Sequence, residues 1–169
     1  MYGNEKKSQL VALTATFVAL ITVGAWISIP LPPVPLTLQT FFVLLAGVIM
    51  KRHAAIPAVL YLVLGALNVP VFHNALAGIG VILGPTGGFL IGFIPAALIA
   101  GLTYEQKERI VRIMGLVAAT AAIYVFGVSW LSFSAGISIS QAVLIGAVPF
   151  LAGDFLKGIA VYSIGERMQ

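Results

Sequence analysis

Two opposite charges, Asp154 and Lys157, follow Phe150-Leu151 and flank Phe155-Leu156 in a stretch otherwise built from apolar and small residues. Three positions apart, they share one face of a helix. A carboxylate that only accepts and an ammonium that only donates can together hold a small polar ligand in a dry site, where such contacts discriminate strongly. Each charge costs roughly 2.5–3.5 kcal/mol at the centre of a membrane helix, so their presence needs a reason. The alternative use is structural, an ion pair that neutralises itself and pins its helix. Pro149 opens the turn that carries the pair, and Gly153 leaves room for a ligand or a second backbone beside the aspartate.

Other polar groups in apolar surroundings are Thr37 and Gln39, at the mouth of a helical stretch, and Asn74 in a loop. Each can donate and accept, and each could equally cap a helix or close a loop. Gly84-Pro85-Thr86-Gly87-Gly88 could cradle an anion, but it lacks the Lys-Ser/Thr ending of a phosphate loop. It reads as a tight turn, with Gly88 and Gly92 allowing close helix packing. His53 follows Lys51-Arg52, and His73 has no His, Asp or Glu at ligand spacing, so no metal site is expected. No nucleophile elbow, metalloprotease motif or pair of intramembrane carboxylates occurs, which argues against an enzyme, and no cofactor is expected.

The elements that must position these residues follow from composition. Hydrophobic residues make up 60% of 169 positions and charged residues 8%, with a mean hydropathy of +1.10. A soluble domain carries about 25% charged residues, so this chain could not clothe a water-facing surface. A spanning helix takes about 20 apolar residues. The nearly uncharged stretches then predict an all-α polytopic membrane protein, a bundle of about six spans at 10–29, 37–50, 54–69, 88–102, 110–130 and 140–165. The whole chain, 1–169, reads as one transmembrane domain. The basic leader over 2–9 is not followed by a cleavage site before a polar chain, so the first segment is expected to be a retained span.

Six spans place both termini on one side. Eight of the nine basic residues fall on that side: Lys6, Lys7, Lys51, Arg52, Lys107, Arg109, Arg112 and Arg167. The connectors at 30–35, 70–85 and 131–138 hold none, which predicts cytoplasmic termini in the cell membrane. The net charge of +4 is thereby explained by topology and not by nucleic acid. Trp26 and Trp130 fall near the outer ends of their segments, where indole rings favour the interface. The outer connectors are apolar and rich in Pro and Gly. Such backbone is tolerated at membrane depth only when buried in protein or lining a cavity, and interrupted helices are one way to build a transporter site. Simple helix termination by proline would give the same pattern. On the first segment Ala12, Ala15 and Ala19 share a side, and such small residues let another helix approach, from this chain or from a partner.

Several blocks occur in order along the chain: 24–40, with the sequence GAWISIPLPPVPLTLQT, then Leu44-Leu45-Ala46-Gly47, Leu60-Tyr61-Leu62 with Leu64-Gly65, and Val69-Pro70-Val71-Phe72. They continue with Gly84-Pro85-Thr86-Gly87-Gly88-Phe89-Leu90, Gly92-Phe93, and Pro149-Phe150-Leu151 with Gly153-Asp154 and Lys157. Together they resemble the BioY family, biotin-specific S components of energy-coupling-factor transporters. The resemblance implies a six-helix subunit that captures biotin from the outer side. It also implies partners, namely a transmembrane coupling subunit and a pair of ATP-hydrolysing subunits that supply the energy. By the same resemblance Asp154 and Lys157 meet the ureido ring of biotin. Gln39, Thr37, Asn74 and residues of the loop before Phe89 complete the pocket, with Tyr61, Phe72 and Phe89 as apolar walls, and Ala15 and Ala19 face the coupling subunit. The chain departs from the family pattern at Asn68, where glycine is common, at Phe89, where tyrosine is common, and at Ala77-Gly78-Ile79-Gly80, which replaces a more glycine-rich run. A transporter subunit for another vitamin or small solute, and a membrane assembly protein without a ligand, are the competing readings.

Overall fold

The computed structural model describes residues 2–168, so Met1 and Gln169 of the expected domain lie outside the described residues. The chain folds as helices α1 (Tyr2–Trp26), α2 (Gln39–Met50), α3 (Ala55–Ala66), α4 (Ile79–Leu83), α5 (Gly87–Thr103), α6 (Arg109–Ala135), α7 (Ile139–Gly146) and α8 (Leu151–Arg167). A small antiparallel hairpin joins α1 to α2, pairing β1 (Ser28–Ile29) with β2 (Leu36–Thr37) so that Ser28 faces Thr37 and Ile29 faces Leu36.

Three stretches are long and apolar enough to cross a bilayer, Glu5–Trp26, Arg109–Ala135 and Ile139–Arg167. The α2 helix and the short turn after it meet α3 at a bend of 118°, and α5 is a shorter apolar helix. The shortness of α2 and α3 was expected, whereas that of α5 was not.

Three expected spans differ in the structure. The first does not run to Ile29, because the chain leaves the helix after Trp26 and pairs as β1. The Pro30–Pro35 stretch, with prolines unable to continue a helix, forms the loop of that hairpin and moves Thr37 out of α2 and into β2. The sixth expected span is not one helix but two. Pro149 has no N–H to give and its ring clashes with the carbonyl four residues back, so the helix breaks at Ala147 (φ −128°, ψ −55°) and restarts after a short turn, Val148–Phe150. Asp154 therefore stands in the first turn of α8 and not in mid-helix. The unpaired N–H groups there carry a partial positive charge that favours a carboxylate.

Glycines set the closest helix contacts. A Cβ on Gly88 would stand 2.3 Å from the Cβ of Trp130, and one on Gly92 3.1 Å from the Cα of Ile123, so α5 and α6 approach through glycine as expected. Gly153 is different: a Cβ there would meet only Leu36 at 3.7 Å, an ordinary contact, so no close approach requires glycine.

Ion pairs mark one end of the bundle. Arg52 holds Glu105 with Nε–Oε1 at 2.7 Å and a second bond of 2.8 Å, fastening the α2–α3 turn to the α5–α6 connector. Glu166, near the end of α8, meets both Arg109 and Arg112 of α6 at 3.2 Å. The hairpin, the start of α5 and the start of α8 gather at the opposite end.

Candidate ligand-binding site

At that opposite end a narrow cavity of about 520 Å³, counting its open mouth, is enclosed by the hairpin loop, α2, α5, α6 and α8. Its walls are apolar, from Val34, Leu36, Phe89, Phe93 and Phe150, and its polar side is built around Asp154 and Lys157.

Asp154 is buried and Lys157 largely so, with side-chain exposures of 7% and 12%. Lys157 Nζ donates to Asp154 Oδ1 at 2.9 Å, to Thr40 Oγ1 at 2.9 Å and to the backbone carbonyl of Thr37 at 2.6 Å. All three ammonium protons are thus used. The Thr40 hydroxyl donates to Asp154 Oδ1 at 3.0 Å, and the Tyr124 hydroxyl donates to Asp154 Oδ2. Three of roughly four lone-pair positions on the carboxylate are occupied, which leaves one acceptor for an incoming N–H. Two of the three ammonium bonds go to neutral oxygens, and a ligand carbonyl can take over either. The cluster can therefore accept from an N–H and donate to a C=O on the same ligand.

A second polar chain supports the first. Thr37 Oγ1 donates to Gln39 Oε1 at 3.0 Å, Gln39 Nε2 donates to Tyr61 Oη at 2.7 Å, and Tyr61 Oη donates to the carbonyl of Val71 at 3.0 Å. It ties the hairpin and the start of α2 to the loop after α3, and it satisfies groups that would be costly to bury alone.

The expected site residues separate into two sets. Asp154, Lys157, Thr37, Gln39 and Phe89 line the cavity together. Tyr61 and Phe72 do not. They are fully buried behind Gln39, packed edge to face with ring centroids 5.4 Å apart. Asn74 is exposed, with its Oδ1 accepting from Ser28 Oγ at 3.2 Å, so it closes the loop of residues 73–75 onto the hairpin. Ala15 and Ala19 are exposed on α1. Among the described residues no cluster of His, Asp and Glu could hold a metal ion.

Three polar lining residues were not assigned to the ligand from sequence, Thr40, His73 and Tyr124, whereas Thr86 lies in the loop before Phe89 that was expected to complete the pocket. Tyr124 had a readable signal, since a tyrosine in the middle of an apolar span needs a partner for its hydroxyl. His73 was weighed only as a metal ligand. Burial holds its imidazole below the ordinary value of 6.5, so it stays neutral near pH 7.

The chain is similar to proteins of one kind. A model of the BioY family matches residues 3–169. The probable biotin transporter BioY of Pyrococcus horikoshii is 43% identical over 164 residues, which cover 96% of this chain and 98% of the relative. The biotin transporter BioY of Thermotoga maritima is 43% identical over 155 residues, 90% of this chain and 91% of the relative. In fold, the chain matches the crystal structure of an S-component for biotin from an ECF-type ABC transporter, with a TM-score of 0.88 over 98% of this chain and 93% of the other at 24% identity. Since the family model spans nearly all of the sequence and the relatives align end to end, this chain belongs to the BioY family.

Proposed function

We propose that this chain is the biotin-binding subunit of an energy-coupling-factor uptake transporter. The observation that carries the reading is the hydrogen-bonded cluster of buried Asp154 with partly buried Lys157, Thr40 and Tyr124 on one wall of an otherwise apolar cavity. A ureido ring presents N–H donors to a carboxylate and a carbonyl to an ammonium, and the remaining ring and chain suit aromatic and aliphatic walls. The names of the P. horikoshii and T. maritima relatives support the ligand.

The finer parts of the reading follow from charge and composition. The cavity opens at the end away from the basic clusters, so with those clusters cytoplasmic it faces outward, as uptake requires. The sequence carries no nucleotide-binding motif, so energy comes from a transmembrane coupling subunit and ATPase subunits. The exposed Ala15 and Ala19 offer a close-packing face to that coupling subunit.

Calorimetric titration of the purified chain with biotin tests the reading. One saturable site at micromolar ligand or tighter is expected, and no heat at that concentration overturns it. A ligand-free assembly protein is the second reading, favoured by the fact that the ion pair already satisfies itself in this structure.

A further inference from the structure

A groove separate from the cavity's mouth runs between α6 and α8 and opens to the side of the bundle. We propose that it holds one acyl chain of an anionic phospholipid, with the phosphate resting against Arg109 at the groove's charged end.

The walls are stripes of two membrane helices. Ile113, Val117 and Ala121 face Phe155, Gly158 and Ile159, and the groove encloses about 1080 Å³ including its open side. Tyr124 and Asp154 close it toward the ligand cavity. From Ile113 to Tyr124 there are eleven residue steps, about 16 Å along the helix at ~1.5 Å each. That equals one leaflet, half of a hydrocarbon core of ~30 Å.

The charges select the headgroup. Arg109 lies one turn before Ile113 on the same stripe, and Glu166 one turn after Tyr162. Glu166 pairs with both Arg109 and Arg112, and with exposed Glu108 counted as well, Lys107, Arg109, Arg112 and Arg167 leave this end net positive. The Arg109 side chain is 80% exposed, and Lys107 and Arg167 nearby are exposed as well. These groups sit where the headgroup of a lipid in that leaflet would lie. Because Tyr124 and Asp154 border both spaces, a chain in the groove packs directly against the wall that holds the ligand cluster.

Native mass spectrometry of the full chain in detergent, without biotin, tests this with palmitoyl-oleoyl phosphatidylglycerol and the matching phosphatidylcholine. One retained phosphatidylglycerol is expected, with phosphatidylcholine retained several-fold less. A side chain at Gly158 enters open space, so Gly158→Trp should fill the groove and cut retention about tenfold, while Gly158→Ala should not. Arg109→Gln should lower phosphatidylglycerol retention to the phosphatidylcholine level and leave phosphatidylcholine unchanged. Circular dichroism confirms that each variant is folded, and Arg109→Gln decides the question if Gly158→Trp is not. Equal retention of the two lipids, full retention by Gly158→Trp, or loss of the adduct on adding inorganic phosphate would overturn the proposal. So would a folded Gly158→Trp that binds no less lipid but fails to co-purify a membrane partner.

Discussion

Replacing Asp154 with asparagine removes the charge at the centre of the cavity while keeping nearly the same shape. The amide oxygen can still accept from Thr40, and Tyr124 can reverse its bond and accept from the amide N–H. What is lost is the anion opposite Lys157, whose side chain is 12% exposed. Breaking a buried pair by removing one partner costs about 3–5 kcal/mol of stability, because the remaining charge is left uncompensated. Binding loses a hydrogen bond from the ligand to a charged acceptor, worth about 1.5–3 kcal/mol, or roughly 10- to 150-fold in Kd. A double variant, Asp154→Asn with Lys157→Met, separates the two effects. Removing both charges leaves no buried ion, and such replacements are often neutral or stabilising, so thermal stability should largely return while biotin affinity should not. Calorimetry with biotin and thermal unfolding followed by circular dichroism give the two readouts. A single variant within about twofold of the parent affinity, ~0.4 kcal/mol, would refute the assigned role of Asp154. So would a double variant that regains full affinity, since the pair would then act only on the fold.

Three further outcomes are expected. Tyr61→Phe strands Gln39 Nε2 and the Val71 carbonyl behind the cavity and should cost about 1–3 kcal/mol in thermal unfolding, yet leave a folded protein with nearly unchanged biotin affinity, because Tyr61 does not line the cavity. A Cβ on Gly127 would stand 2.2 Å from the Phe89 ring, so Gly127→Ala should push that ring into the cavity, cost about 1–3 kcal/mol and weaken binding, with Phe89→Leu restoring stability as a second change. Because burial lowers the His73 pKa in the fold, the unfolded chain binds more protons just below pH 6.5. Stability should therefore fall as pH drops from above 6.5 toward the lowered value, and His73→Gln should flatten that stretch of a pH series of unfolding temperatures.

Much of the bundle was legible because membrane helices are written in composition. The long runs without charge gave the segments and showed that the second and third were short, but not that α2 and α3 meet at a sharp bend. The polar cluster was legible at Asp154 and Lys157 because a charge inside an apolar run is costly. Thr40 was not, since one more threonine beside Gln39 carries no cost until the fold brings α8 within 3 Å of it. The same limit hid which side of the bundle each aromatic faced. Tyr61 and Phe72 were equally good as walls or as support, and only the turn of α3 against its following loop placed them behind Gln39. The break before α8 was half visible: Pro149 marked the turn, but hydropathy runs on unbroken through residues 140–165 and concealed that Asp154 begins a helix. Short loops were the least legible, because pairing of β1 with β2 over two residues each leaves almost no pattern in sequence.

The central claim is that the Asp154 and Lys157 cluster holds the polar head of the ligand. A structure of the purified chain solved with biotin tests it most directly. The ureido ring is expected within hydrogen-bond distance of the Asp154 carboxylate and the Lys157 ammonium, with the Lys157 bond to Thr37 or Thr40 exchanged for one to the ligand. Biotin bound elsewhere, or bound with the cluster's internal hydrogen bonds unchanged and its head turned away, would contradict the account.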